Sequence, residues 1–191
     1  MSRTYPSFLL ILFLLIVRIP SAVAAEKKEP YFANVILTTS ENSVLLFGVL
    51  QSAFPEEMIQ GLHSGIPIQY SFFVEVYRKR KYWSDEQVAS IRFQHTLRYD
   101  TLKEMYKVEL EEGNETKSIT CQTLAEAQKA MNEFNGINVI KLAALIPDAS
   151  YTLQVRSELY KKNLPMGPHH VIPFVSWWDI ETNWYSLDFN Y

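Results

Sequence analysis

The sequence predicts an α+β domain that is mainly antiparallel β, a sandwich-like arrangement of sheets with long hairpins and two short helices. Three observations predict it. Apolar and polar residues alternate over Ile66–Tyr77 and again over Ala89–Tyr99, the period of a strand with one buried face. Polar turn clusters separate these runs at the spacing of consecutive hairpins. Only two segments carry helix start and stop signals.

In chain order, Tyr31–Thr39 reads as a first strand with Tyr31, Ala33, Val35 and Leu37 on one face. Ser40-Glu41-Asn42-Ser43 is a turn, and Val44–Leu50 is a continuous apolar run, as in a strand covered on both faces. Pro55 opens a first helix, because a missing N–H costs nothing in the first turn. Glu56 and Glu57 suit its positive N-terminal end. Met58, Ile59 and Leu62 form its apolar stripe, Gly65 ends it as a left-handed cap, and Pro67 forbids continuation.

The long strand follows, with Ile66, Ile68, Tyr70, Phe72, Val74 and Val76 on one face. Arg78-Lys79-Arg80-Lys81 and then Tyr82–Glu86 form a basic hairpin tip. The returning strand puts Ala89, Ile91, Phe93, His95, Leu97 and Tyr99 on one face. Tyr99–Lys103 turns the chain into a strand with Tyr106, Val108 and Leu110 inward, and Glu111–Glu115 turns it into Lys117–Cys121. Thr123 and Glu126 have the spacing of a capping box. Leu124, Ala127, Met131 and Phe134 recur at helical spacing behind it, and Asn135-Gly136 closes the helix. Ile137–Asp148 reads as irregular. Tyr151–Tyr160 alternates as a strand, Pro165, Gly167 and Pro168 interrupt the chain, and Pro173 demotes Val171–Trp178 to an edge or a bulge. Tyr185, Leu187, Phe189 and Tyr191 mark a C-terminal strand.

The N-terminus carries a different signal. Arg3, an apolar run from Phe8 to Val17, Pro20, and the small residues Ala22, Ala24 and Ala25 follow the order of a secretory signal peptide. Ten apolar residues fall short of the roughly 20 needed to span a bilayer. The expectation is a signal over 1–25, a single domain over 26–191 and a periplasmic location. An N-terminal membrane anchor results if the signal stays uncleaved. Cleavage removes Arg3 and Arg18 and leaves 16 basic against 21 acidic side chains, a net charge of −5. Such a domain is a poor general nucleic-acid binder. Aromatic residues make up 14% of the chain, against disorder. Cys121 is the only cysteine, so no disulfide forms within the chain, and it reads as a small buried hydrophobe.

Several phrases, taken together and in order, resemble one bacterial family. They are Phe54-Pro55-Glu56-Glu57-Met58 leading to Ser64-Gly65-Ile66-Pro67, and Tyr77-Arg78-Lys79-Arg80 with Trp83, Asp85, Val88 and Ala89. Arg98-Tyr99-Asp100-Thr101-Leu102 follows, then Trp178-Asp179-Ile180-Glu181-Thr182-Asn183-Trp184-Tyr185. The family is named only as domain of unknown function 4390. The resemblance runs from about Tyr31 to Tyr191 and implies a Gram-negative envelope protein. It brings no catalytic or binding residues with it.

Two sets of residues stand out on their chemistry. Arg78, Lys79, Arg80 and Lys81 put four cations in an acidic domain, flanked by Tyr77, Tyr82 and Trp83, whose rings favour a membrane–water interface. They suit lipid headgroups or an envelope protein. The bland reading is a solvated tip that discourages edge-to-edge aggregation. Trp177, Trp178, Asp179, Glu181 and Trp184 could form a ligand platform for a glycan, with Asp179 and Glu181 as an acid–base pair. The structural alternative is indole packing with carboxylates capping a turn.

His169 and His170 are adjacent and point to opposite faces of an extended chain, while His63 and His95 have no ligand-spaced partner. No metal site and no cofactor is expected. GxSxG, GxGxxG and P-loop motifs do not occur. The expected function is a non-catalytic envelope module that binds a protein or lipid partner. The alternatives are a glycan-acting enzyme and a structural subunit of an envelope complex.

Overall fold

A computed structural model describes residues 29–159 and 180–191. Among these residues, nine strands build two antiparallel sheets. The smaller contains β1 (Tyr31–Thr39), β2 (Ser43–Gln51) and β7 (Glu133–Lys141) in the order β1-β2-β7. The larger contains β3 (Ile68–Arg78), β4 (Glu86–Asp100), β5 (Met105–Glu112), β6 (Glu115–Cys121), β8 (Ser150–Leu159) and β9 (Tyr185–Asn190), in the order β6-β5-β4-β3-β8-β9. Helix α1 (Glu56–His63) links β2 to β3, and α2 (Leu124–Asn132) lies against β4, β5 and β6.

The inward faces of both sheets meet in one core. Phe32 of β1 and Phe134 of β7 lie 6.1 Å apart, centroid to centroid. Phe72 of β3 stacks on Phe93 of β4 at 4.7 Å. Phe134 stands 5.7 Å from Phe72 and 5.8 Å from Phe93, so four rings from four strands join the two sheets. The predicted long hairpin is β3–β4, with Phe72 opposite Phe93 and Tyr70 opposite His95. Tyr106, Val108 and Leu110 face inward as expected, and Cys121 is buried.

The stop of the first helix and the start of the second hold. Gly65 takes φ +87°, its N–H bonding the Leu62 carbonyl and the Ile66 N–H the Gly61 carbonyl. The Glu126 N–H donates to the Thr123 hydroxyl at 3.2 Å, and the Glu126 carboxylate accepts from the Thr123 N–H at 3.4 Å.

Three expectations are corrected. α2 stops at Asn132, and the stretch read as helix end and irregular chain is strand β7. Glu133 already has the extended backbone φ −85°, ψ 136°. β7 gains an extra residue at Gly136 and another at Val139 relative to β2, and Gly136 takes φ +82° at the first of these bulges. In β1, Phe32 rather than Tyr31 points into the core. A bulge that passes through Asn34 at φ +54° then restores Val35 and Leu37 to the inward side. In β2, Val44, Leu46, Gly48 and Leu50 are buried, but Leu45, Phe47 and Val49 are only half-buried, so its second face is not fully covered.

Candidate functional site

The β3–β4 tip is held by its own cations. Arg78 pairs with Glu86 across the hairpin mouth, and Arg80 Nη1 stands 3.8 Å from the same carboxylate. Arg80 Nε donates to the Ser84 carbonyl at 2.8 Å, and the Arg80 N–H donates to Asp85 Oδ1 at 3.2 Å. The Lys79 N–H donates to the Ser150 carbonyl at 2.8 Å, and Lys79 Nζ reaches Asp188 Oδ2 at 2.6 Å. That ammonium, together with the Thr152 hydroxyl, holds the Asp188 carboxyl below the usual carboxylate range.

Three of the four cations singled out in the sequence are therefore matched inside the molecule. Lys81 has no ion-pair partner among the described residues; its ammonium lies 5.5 Å from the centroid of the Tyr82 ring. Each exposed pair, screened by solvent, contributes little by itself. Together with the backbone bonds they fix the loop, and the loop carries two large rings outward. Tyr82 is 82% exposed and Trp83 78%.

The tip has neighbours at the same end of the sandwich. Arg78 stands opposite Tyr151 at the start of β8, and Ser150 stands opposite Asn190 at the end of β9. The Tyr191 N–H donates to the Ala149 carbonyl at 3.2 Å, and the Leu142 N–H to the Asn42 carbonyl at 2.8 Å. The β1–β2 turn, the β7–β8 connection and the C-terminus thus gather beside the tip, and they add exposed Ile146 and Tyr191.

Of the second predicted set, Trp177, Trp178 and Asp179 fall outside the described residues. Glu181 forms an isolated bridge with Glu158 of β8, between two ties to the chain: the Leu159 N–H donates to Ile180 O, and the Thr182 N–H to Ser157 O. Trp184 packs against the Arg156 guanidinium, with Cζ 4.9 Å from the ring centroid. Arg156 also lies 5.1 Å from the Phe73 ring, and Arg92 lies 5.2 Å from it. Arg92, Phe73, Arg156 and Trp184 make a cation–aromatic row across β4, β3 and β8 to the residue before β9, on the sheet face away from the core.

The described histidines have separate tasks. His63 Nε2 and the Tyr106 hydroxyl share a hydrogen bond at 2.7 Å, beside the Tyr99 ring. His95 is fully buried, with Nδ1 at 2.8 Å from the Met131 carbonyl and Nε2 at 2.9 Å from Glu112 Oε1. Burial raises the Cys121 thiol pKa above its usual range, which keeps it a thiol.

No described helix is long and apolar enough to cross a membrane. A family model described as "Domain of unknown function (DUF4390)" matches residues 28–188. No curated protein and no solved structure matches the chain.

Proposed function

The chain belongs to the DUF4390 family, and we propose that it is a non-catalytic binding module, exported to the Gram-negative envelope, whose partner is a protein held at the β3–β4 tip. Export is supported by the order of Arg3, the Phe8–Val17 run, Pro20 and Ala22–Ala25. The observation that carries the binding role is the exposure of Tyr82 and Trp83 on a loop tied down by Arg80.

Two adjacent aromatic rings held in water by a fixed loop have the character of an interface anchor: large apolar area, few rotatable bonds and little ordering entropy left to lose. Charged groups ring them, as polar rims ring the anchors of protein interfaces. Charge balance favours a protein over a lipid surface. Arg78, Lys79 and Arg80 face Glu86 and Asp188, so attraction to anionic headgroups rests mainly on Lys81. A contact led by aromatic burial is then only weakly salt-dependent.

The test is retention of an envelope protein on the immobilised domain, with Tyr82→Ser/Trp83→Ser and Lys81→Ser variants beside it. The reading predicts loss with the double variant and retention with Lys81→Ser. Equal retention by the double variant overturns it, and wild-type binding to protein-free anionic vesicles moves the partner to lipid.

A further inference from the structure

The larger sheet has an open edge in its middle. β4 runs from Glu86 to Asp100, but β5 pairs with it only from Asp100 back to Gln94. At Glu112 the chain reverses through Gly113, whose φ of +67° suits a two-residue hairpin turn, and leaves as β6. From Glu86 to Phe93, β4 is paired with β3 alone among the described strands. The extra residue at Val88 bends the first part of this edge, which leaves Ala89–Phe93 as its regular stretch. Five residues span about 16 Å, and about every second one turns its N–H and C=O to the open side.

A cleft of about 530 Å³ lies along this stretch, closed by the β5–β6 turn on one side and by Asn135–Asn138 of β7 on the other. β7 borders the same cleft and is also an edge strand, but its two bulges break any regular ladder, so of the two β4 is the one suited to accept a strand there. The cleft is negatively charged at the turn. Glu112 and Glu115 stand directly opposite each other in the β5–β6 pair, an unfavourable arrangement for two carboxylates. His95 bonds one oxygen of Glu112, and Glu115 has no ion-pair partner among the described residues.

We propose that Ala89–Phe93 is a docking edge for an extended peptide segment that continues the line of β5 and places a lysine or arginine against Glu112 and Glu115. The backbone ladder supplies most of the affinity and the two carboxylates select the cation, as in other strand additions. The site is separate from the Tyr82/Trp83 tip and does not depend on it.

The test is amide hydrogen exchange of the full domain with two synthetic peptides of alternating valine, one with lysine and one with glutamate at the intervening positions. Saturating lysine peptide should slow exchange across 89–93 by about tenfold, while the glutamate peptide should not. Glu115→Lys should shift the preference toward the glutamate peptide; this residue is exposed, so the variant leaves the core and the His95–Glu112 bond in place. Tyr82→Ser/Trp83→Ser should bind the lysine peptide as the wild type does, which separates a failure here from a failure of the tip. No protection at 89–93, or equal protection by both peptides, overturns the proposal. So does an edge already protected without peptide in a dimer, since the occupant is then a second copy of the chain.

Discussion

Gly48 of β2 faces Phe134 of β7 across the smaller sheet, and the Phe134 ring fills the space a side chain at residue 48 would need. A β-carbon there would stand 2.5 Å from Phe134 Cζ. The ring cannot swing aside, because Phe32, Phe72 and Phe93 hold it and it has no exposed surface. Gly48→Ala should therefore destabilise the domain by about 1–3 kcal/mol through overpacking. Phe134→Ala should cost about 3–5 kcal/mol through a cavity. Denaturant unfolding of both single variants and the double variant checks this; the double variant should cost less than the sum, since each change relieves the other.

The buried His95 ring ties the end of α2 to the end of β5. Its partners, the Met131 carbonyl and a Glu112 oxygen, stand at opposite nitrogens. Glu112→Leu removes one partner from a ring that water does not reach, and should cost about 1–3 kcal/mol. Chemical denaturation measures the loss, and local hydrogen exchange should rise first at Met131 and its neighbours.

Tyr70 supplies a test at alkaline pH. Its hydroxyl donates to the Ala53 carbonyl inside the core, and burial pushes its pKa well above the ordinary tyrosine range. A group whose pKa is higher in the folded state stabilises the fold below the unfolded value and loses that contribution as pH rises through the folded one. Stability should therefore fall above about pH 10. In an ultraviolet titration one tyrosine should ionise only as the domain unfolds, and Tyr70→Phe should remove that step.

Asp188 gives the acid-side counterpart. Its carboxyl is lowered first by the Lys79 hydrogen bond and then by that of Thr152. Its contribution is present above the unfolded pKa of about 3.9 and fades as pH falls through the lower folded value. Lys79→Ala should bring the Asp188 titration, followed by carbon NMR, back toward that ordinary value. An unchanged titration would mean that Lys79 does not hold the C-terminal strand at the tip.

The sequence makes the hairpins legible because the core-facing positions of β3 and β4, Ile68 to Val76 and Ala89 to Leu97, are apolar at every second residue except His95, and only Phe73 interrupts the polar outward face between them. β7 is hidden for a physical reason. Its bulges place buried Phe134, Ile137 and Ile140 three residues apart, a helix-like spacing, directly behind a genuine helix. Asn135-Gly136, which reads as a stop, is a bulge.

The candidate site was legible in composition but not in charge. Arg78–Lys81 reads as four free cations because Glu86 and especially Asp188, 109 residues from Lys79, become partners only once the strand order is known. The row of Arg92, Phe73, Arg156 and Trp184 escapes for the same reason. Each strand residue in it sits at an outward position, and only the order β4-β3-β8-β9 lines them up.

The central claim is that the aromatic tip makes the partner contact. A photo-crosslinking amino acid placed at residue 83 in living cells tests it directly, with residue 102 as the control. Leu102 is 94% exposed and lies in the turn at the opposite end of β4. The account predicts a discrete protein adduct from position 83 and none from 102. Tyr82→Ser should weaken the adduct in step with an affinity loss of about 2 kcal/mol, about thirtyfold. No adduct at 83, or the same adducts at both positions, would contradict it.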